Sequence, residues 1–328
     1  MTIEIKTDAM EPIRHTYDHI ARRFGDKPAS RYQEASYDVE ATINHHYKPL
    51  WAPDKLINDP SWTAICMGDW HDVKDPRQFY YGSYVQARAK LQDVTESNYA
   101  FFDKRNLADK LPQSVRDETL NCLLPLRFAE GAANMNNMYC ASRAVSLIVR
   151  QAFVFAAMDR LGTAQYVSRI GLLLDGNSGE TLAAAKQAWM NAPQWQPMRH
   201  YLEDVFALSD WFETFVAQAV LMDQYTYRVM FHAWDDSISG QGGGDIAMLL
   251  EFMQEWFKDA SRWVDGALKV VVAESDENKV LIKGWLDLWR DRARAAVKAV
   301  ADTTSMDVEA AIAAADADLD KRLQKAGL

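Results

Sequence analysis

Residues 75–105, DPRQFYYGSYVQARAKLQDVTESNYAFFDKR, decide the fold class. Asp75-Pro76 sets an N-cap residue before a proline at the first helical position, and a helical pattern continues from there to about Arg105. Phe79, Val85, Ala89, Val94 and Phe101 form an apolar stripe that drifts between faces, as in a helix covered from more than one side. At 1.5 Å per residue, thirty residues reach about 45 Å, longer than an ordinary globular helix. A helix of that length implies a large bundle.

The same signals recur on both sides of it. A long helical segment over 115–161 contains Pro125 and Gly131, so a kink or break is expected there. Helices are expected over about 163–174, 179–191, 195–208, 210–238, 244–274, 277–302 and 306–325, and no alternating strand pattern stands out. Residues 1–60 differ: Pro12, Pro28, Pro49, Pro53 and Pro60 punctuate a polar stretch with single aromatics. This segment reads as an extended N-terminal arm with one short helix, in which Ile13, Tyr17, Ile20 and Phe24 share a face and Gly25 is the C-cap. Residues 61–328 read as a single helical domain. Long antiparallel helices with Met and aromatic side chains inside are the pattern of ferritin-like bundles, so the expected class is all-α and ferritin-like.

Composition narrows the function. Thirty-six Lys and Arg against 46 Asp and Glu give a net charge of −10, with no basic block to release phosphate counterions, so a nucleic-acid partner is not expected. Fifteen Gly and 10 Pro in 328 residues fall below the roughly 7% and 5% of an average chain, against a turn-dense β architecture. Cys66, Cys122 and Cys140 make neither a disulfide framework nor a zinc knuckle. No signal peptide or membrane span is readable, and a cytoplasmic location is the expectation. The chain also carries 11 Trp, 13 Tyr, 13 Phe and 13 Met. Such a surplus calls for a large core, a partner, or both. Tyr32, Tyr37, Tyr47 and Trp51 in the arm, and Tyr80, Tyr81 and Tyr84 at the head of the long helix, are the expected subunit-contact residues.

No catalytic motif emerges. A ferritin-like di-iron centre takes a Glu from each of two helices and a Glu-x-x-His from each of the other two, yet no Glu or Asp here has His three residues later. A nonstandard ligand set from Glu96, Glu130, Glu203 and Glu213 is the alternative for a self-sufficient di-iron protein. His15 and His19, four apart on an expected helix face beside Asp18, lack a third metal ligand. His45-His46 cannot both face one metal from regular structure, and His71, in Asp69-Trp70-His71-Asp72, fits a turn better than acid–base chemistry. Gly240-Gln-Gly-Gly-Gly-Asp245 follows a helix rather than a strand, so it reads as a connection with Asp245 as the next N-cap, not a phosphate cradle.

Six blocks carry a family likeness: 24–38 FGDKPASRYQEASYD, 75–89 DPRQFYYGSYVQARA, 131–137 GAANMNN, 168–176 SRIGLLLDG, 243–253 GGDIAMLLEFM and 322–328 RLQKAGL. Together they resemble the β subunit of bacterial multicomponent phenol hydroxylases, in the phenol/toluene group of di-iron monooxygenases. The resemblance implies a noncatalytic scaffold subunit in an (αβγ)2 hydroxylase, with no cofactor of its own. It places the di-iron site in the α subunit, and FAD and a 2Fe-2S cluster in a reductase that passes electrons from NADH. It also implies a small effector protein, and an assembly that turns phenol and methylphenols into catechols with O2. The matching blocks are structural, so no catalytic residue carries over.

Overall fold

The computed structural model describes residues 13–40 and 48–328; Tyr47, His45 and His46 lie outside these. Two short helices, α1 (Asp18–Phe24) and α2 (Arg31–Ser36), belong to the arm. Gly25 ends α1 with φ of 85°, and Ser30 with Gln33 closes a capping box on α2. The chain then runs through single turns to α3 (Tyr81–Lys104). After α4 (Gln113–Glu118) come the long helices α5 (Leu126–Arg143) and α6 (Leu147–Leu174), the short α7 (Glu180–Asn191) and α8 (Gln196–Phe206). A continuous helical run over 211–238, α9, is followed by α10 (Gly244–Glu274), α11 (Asp276–Ala301) and α12 (Val308–Ala326). Among the described residues there is no strand, and the layout is the all-α, ferritin-like bundle expected.

Four helices make the heart of it. α5 lies along α6, α9 and α10 close the other side, α3 covers α10, and α11 and α12 pack on the outer flank of α9. Side-chain caps start the later helices where the sequence offers them: Asp210 accepts from Phe212 and Glu213, Ser275 from Asn278, and Asp307 from Ala310. The core is aromatic, with Trp195, Trp211, Trp234 and Trp256 almost wholly buried. Each large apolar side chain so placed contributes on the order of 1.5–3 kcal/mol.

Several boundaries differ from the sequence reading, each for a local reason. Asp75 does not cap the long helix; its carboxylate accepts from the Arg77 backbone and guanidinium, closing a separate turn. α3 begins instead at Tyr81, where Ser83 returns its hydroxyl to the Tyr80 amide. The expected interruption is found at Pro125, just before α5, but Gly131 sits inside α5 without a break; the chain parts again at Ala144–Ser146, and α6 then runs unbroken through the expected gap near residue 162. Asp245 lies in the first turn of α10 without capping it, because Gly242 at φ of 87° makes the connection.

α9 is not a regular α-helix. Val216–Met222 and Thr226–Ala233 are π-helical, with i→i+5 hydrogen bonds. Side chains on neighbours meet the carbonyls within these wider turns: Tyr201 Oη donates to Ala217 O at 2.8 Å and Gln254 Nε2 to Phe231 O at 2.6 Å. Almost every residue from Trp211 to Phe231 is buried.

Two glycines give opposite expectations. A Cβ on Gly171 of α6 would stand 2.8 Å from Leu124 Cδ2, whereas one on Gly131 of α5 would meet nothing within 4 Å. Gly171→Ala should therefore cost about 1–3 kcal/mol through overpacking, and Gly131→Ala should gain about 0.5–1 kcal/mol by removing helix-interior glycine entropy. Urea-unfolding midpoints of the two variants check this, and a Gly171→Ala chain as stable as the parent would remove the close approach as a constraint.

Candidate functional site at the bundle centre

The four central helices each project one or two side chains to a common point. α5 supplies Glu130, α6 supplies Arg160, α9 supplies Asp223 and Tyr227, and α10 supplies Trp256. All five are buried. Arg160 Nη1 donates to both oxygens of Glu130 at 3.2 and 3.0 Å and to Tyr227 Oη at 3.0 Å, while Nη2 pairs with Asp223 Oδ2. Tyr227 Oη in turn donates to Glu130 Oε1 at 2.9 Å. The guanidinium carbon lies 4.2 Å from the Trp256 ring centroid. Gln218 donates to Asp223 Oδ1 at 2.8 Å and receives a bond from Asn136 at 2.8 Å. Gln218 and Asp223 stand five apart, a spacing that the π turn brings to one side of α9.

Burial pushes the Glu130 and Asp223 carboxyls up, against the pull of Arg160. Burial also opposes the charge on Arg160, but Asp223 and Glu130 outweigh it and hold the guanidinium protonated. Removing one member of such a buried set leaves an uncompensated charge, at a cost on the order of 3–5 kcal/mol.

A polar relay leads outward from this centre. Trp256 Nε1 donates to Asp159 Oδ2 at 2.7 Å; Arg88 bridges Asp159 at 2.8 Å and Asp259 at 3.1 Å; Arg77 joins Asp259 to Asp75. The Asp75 amide donates to Tyr32 Oη at 3.1 Å, so the relay ends in the arm. Of this central set the sequence pointed to Glu130 alone, as a metal ligand. Its signal was Asp159-Arg160, two opposite charges inside the apolar run Phe153–Leu161.

The expected subunit-contact residues divide. Tyr32, Tyr37 and Tyr84 are buried within this chain: Tyr32 on Asp75, Tyr37 edge-on to Phe24, and Tyr84 stacked 4.2 Å from Phe155 with its hydroxyl on Asp159. Tyr80 is half-buried, while Trp51 and Tyr81 remain 68% and 75% exposed. The four glutamates of the alternative ligand set do not converge. Glu96 pairs with Arg169, Glu203 with Arg199, Glu213 accepts from Trp289, and only Glu130 reaches the centre. Among the described residues, no three of His, Cys, Asp and Glu stand together as metal ligands. His15 precedes α1 rather than sharing its face with His19.

His71 sits in a turn, Trp70–Asp72, as the sequence suggested, but it also latches the arm. Nε2 faces Glu40 at 3.3 Å and Asp38 at 3.8 Å, Nδ1 lies 2.9 Å from Asp69 and 3.5 Å from Arg23 Nη2, and Tyr37 stacks on the ring. Burial works against its protonation, yet hydrogen bonds to Glu40 and Asp69 raise its pKa overall. A cavity of about 760 Å³ opens beside it, lined by Arg22, Arg23, Asp38, Glu40 and Asp69 among others.

The sequence matches the family model described as Methane/Phenol/Alkene Hydroxylase over residues 51–275. It is 49% identical to the phenol 2-monooxygenase oxygenase component DmpL of Pseudomonas sp. (strain CF600), over 100% of this chain and 98% of that one. It is 23% identical to the toluene-4-monooxygenase system hydroxylase component subunit beta of Ectopseudomonas mendocina, over 92% of this chain and 93% of that one. The crystal structure of xenon-pressurized phenol hydroxylase from Pseudomonas sp. OX1 superimposes with a TM-score of 0.95 at 46% identity, covering 99% of this chain and 98% of the other.

The latch sets a pH dependence. The folded-state pKa of His71 lies above the ordinary histidine value of about 6.5, so its share of arm stability is present below that pH and fades as pH rises through the folded value. Hydrogen exchange over residues 31–38, corrected for intrinsic rates, should show protection falling on the alkaline side, and His71→Gln should flatten that slope. An unchanged slope in the variant would remove His71 as its source.

Proposed function

The chain belongs to the methane/phenol/alkene hydroxylase family, and from that premise we propose that it is the scaffold, noncatalytic β subunit of a cytoplasmic multicomponent phenol hydroxylase. On this reading, residues 61–328 are one bundle domain and residues 1–60 its arm. The assembly is (αβγ)2, with the di-iron site in α, and a small effector protein and a reductase carrying FAD and a 2Fe-2S cluster act on it. The overall reaction takes phenol or a methylphenol, O2, NADH and a proton to the catechol, water and NAD+.

The observation that carries the reading is the bundle centre: both buried carboxylates are engaged by a guanidinium rather than left open for a metal. The 49% identity with a phenol 2-monooxygenase oxygenase component along the whole chain supports the substrate class. No helix among the described residues is long and apolar enough to cross a membrane.

Subunit contacts are proposed where apolar side chains stay uncovered. Tyr81 and Val85 of α3, Met135 and Met138 of α5, and Met158 and Leu161 of α6 are all exposed. Their helices adjoin: Tyr84 bonds Asp159, and Asn134 donates to Ala157 O at 2.7 Å. Uncovered apolar side chains on neighbouring elements suit an obligate partner, and Trp51 adds an aromatic in the arm.

Two measurements test this. Co-expressed with the chains of neighbouring reading frames, the chain should purify in an assembly that hydroxylates phenol, while the full chain alone should bind no stoichiometric iron; iron at one or more per folded chain would overturn the scaffold reading. Tyr81→Asp with Met158→Asp should leave the unfolding temperature near that of the parent and weaken partner capture about tenfold or more. Undiminished capture would move the contact surface elsewhere.

A further inference from the structure

Ferritin-like bundles that hold metal do so at the point where four helices converge, with carboxylates and histidines aimed inward. The donors at that point here do not fit a di-iron ligand set. They are Glu130, Asp223 and the Tyr227 hydroxyl, with Gln218 behind them and no imidazole. Hard oxygen donors of this kind take a cation, and they already have one. Arg160 turns its two terminal nitrogens to the two carboxylates and its flat face to Trp256. Its Nε, buried too, has no hydrogen-bond partner among the described residues, so the hydrogen bonds all fall on the two terminal nitrogens.

We infer that the bundle centre is a cation site whose permanent occupant is the chain's own Arg160 guanidinium. Two carboxylates from different helices meet on this one guanidinium, and all three side chains are buried. Whatever occupies the centre must carry positive charge and accept contacts from both α5 and α9. A planar guanidinium satisfies both through its fork and stacks on the indole; a compact divalent ion satisfies the carboxylates alone. The site thus selects for a cation first and for guanidinium shape second. This inference shares its observation with the subunit reading but does not rest on it, since it concerns only what the chain's own side chains bind.

Chemical rescue tests it in the full chain. Arg160→Ala should lower the unfolding temperature by about 10 °C, and preincubation with about 10 mM methylguanidinium should regain at least half of that loss, as for a cavity refilled by a matching ligand. Mn2+ should give a smaller gain. Urea at the same concentration should give none, and neither should methylguanidinium added to Arg160→Met, whose unbranched side chain reaches into the space the guanidinium leaves. Rescue by methylguanidinium that exceeds any by Mn2+ supports the site; rescue by neither, equally by urea, or as well by Mn2+ overturns it. Should Arg160→Ala fail to fold, the variant Glu130→Gln, Arg160→Met, Asp223→Asn decides. Recovery of a folded chain indifferent to methylguanidinium supports charge balance as the role of Arg160, and a loss as large as that of Arg160→Ala overturns it.

Discussion

A single positive charge, fixed where four helices meet, is the constraint around which the rest of the molecule is arranged. Arg160 cannot be buried without partners, and its partners cannot be buried without it. Glu130 fixes how α5 faces α6; Asp223 and Tyr227 fix the rotation of α9; Trp256 fixes α10. Apolar packing alone tolerates sliding and small rotations of long helices. A set of directional, charge-assisted bonds drawn from four helices does not, because any shift strands a charge.

From this centre the polar relay through Trp256, Asp159, Arg88, Asp259, Arg77 and Asp75 reaches the Tyr32 hydroxyl. Every charged member of that line is answered by an opposite one, and the path crosses α10, α6 and α3 before meeting the arm. Among the several places where the arm meets the body, two differ in character. One is this relay; the other is His71 with Glu40, Asp38 and Asp69. Burial of Tyr32 and Tyr37 inside the chain follows from these anchors, and of the expected subunit-contact aromatics among the described residues it leaves Trp51 and Tyr81 exposed.

The helical class was legible because length, caps and the lack of alternation agree over most of the chain. The bounds of α7 to α12 fall close to the sequence reading, and side-chain caps from Asp210, Ser275 and Asp307 start three of these helices. Boundaries failed where a side chain had a second option. Asp75 bonds Arg77 instead of starting α3, and Gly131 is carried through α5 by its neighbours. The central site was harder to read. Its members come from positions 130, 160, 223 and 256, and nothing in their spacing announces that they meet. Asp159-Arg160 in an apolar run marked a buried charge without naming its partners. The irregular turns of α9 have no sequence signature, yet they bring Gln218 and Asp223 together.

The burial of α9 on nearly every side bears on the order in which the molecule is made. Its inner face meets α5 and α6, which leave the ribosome earlier, but the rest of its surface waits for α10, α11 and α12, which follow it. Until residue 326 has been synthesised, a strongly apolar helix stands half-dressed, with Tyr225 and Gln224 still lacking Asp316 and Asp318. The carboxyl end is thus a closing element rather than an appendage. A nascent chain stalled before it exposes an apolar helix face that α12 would otherwise cover.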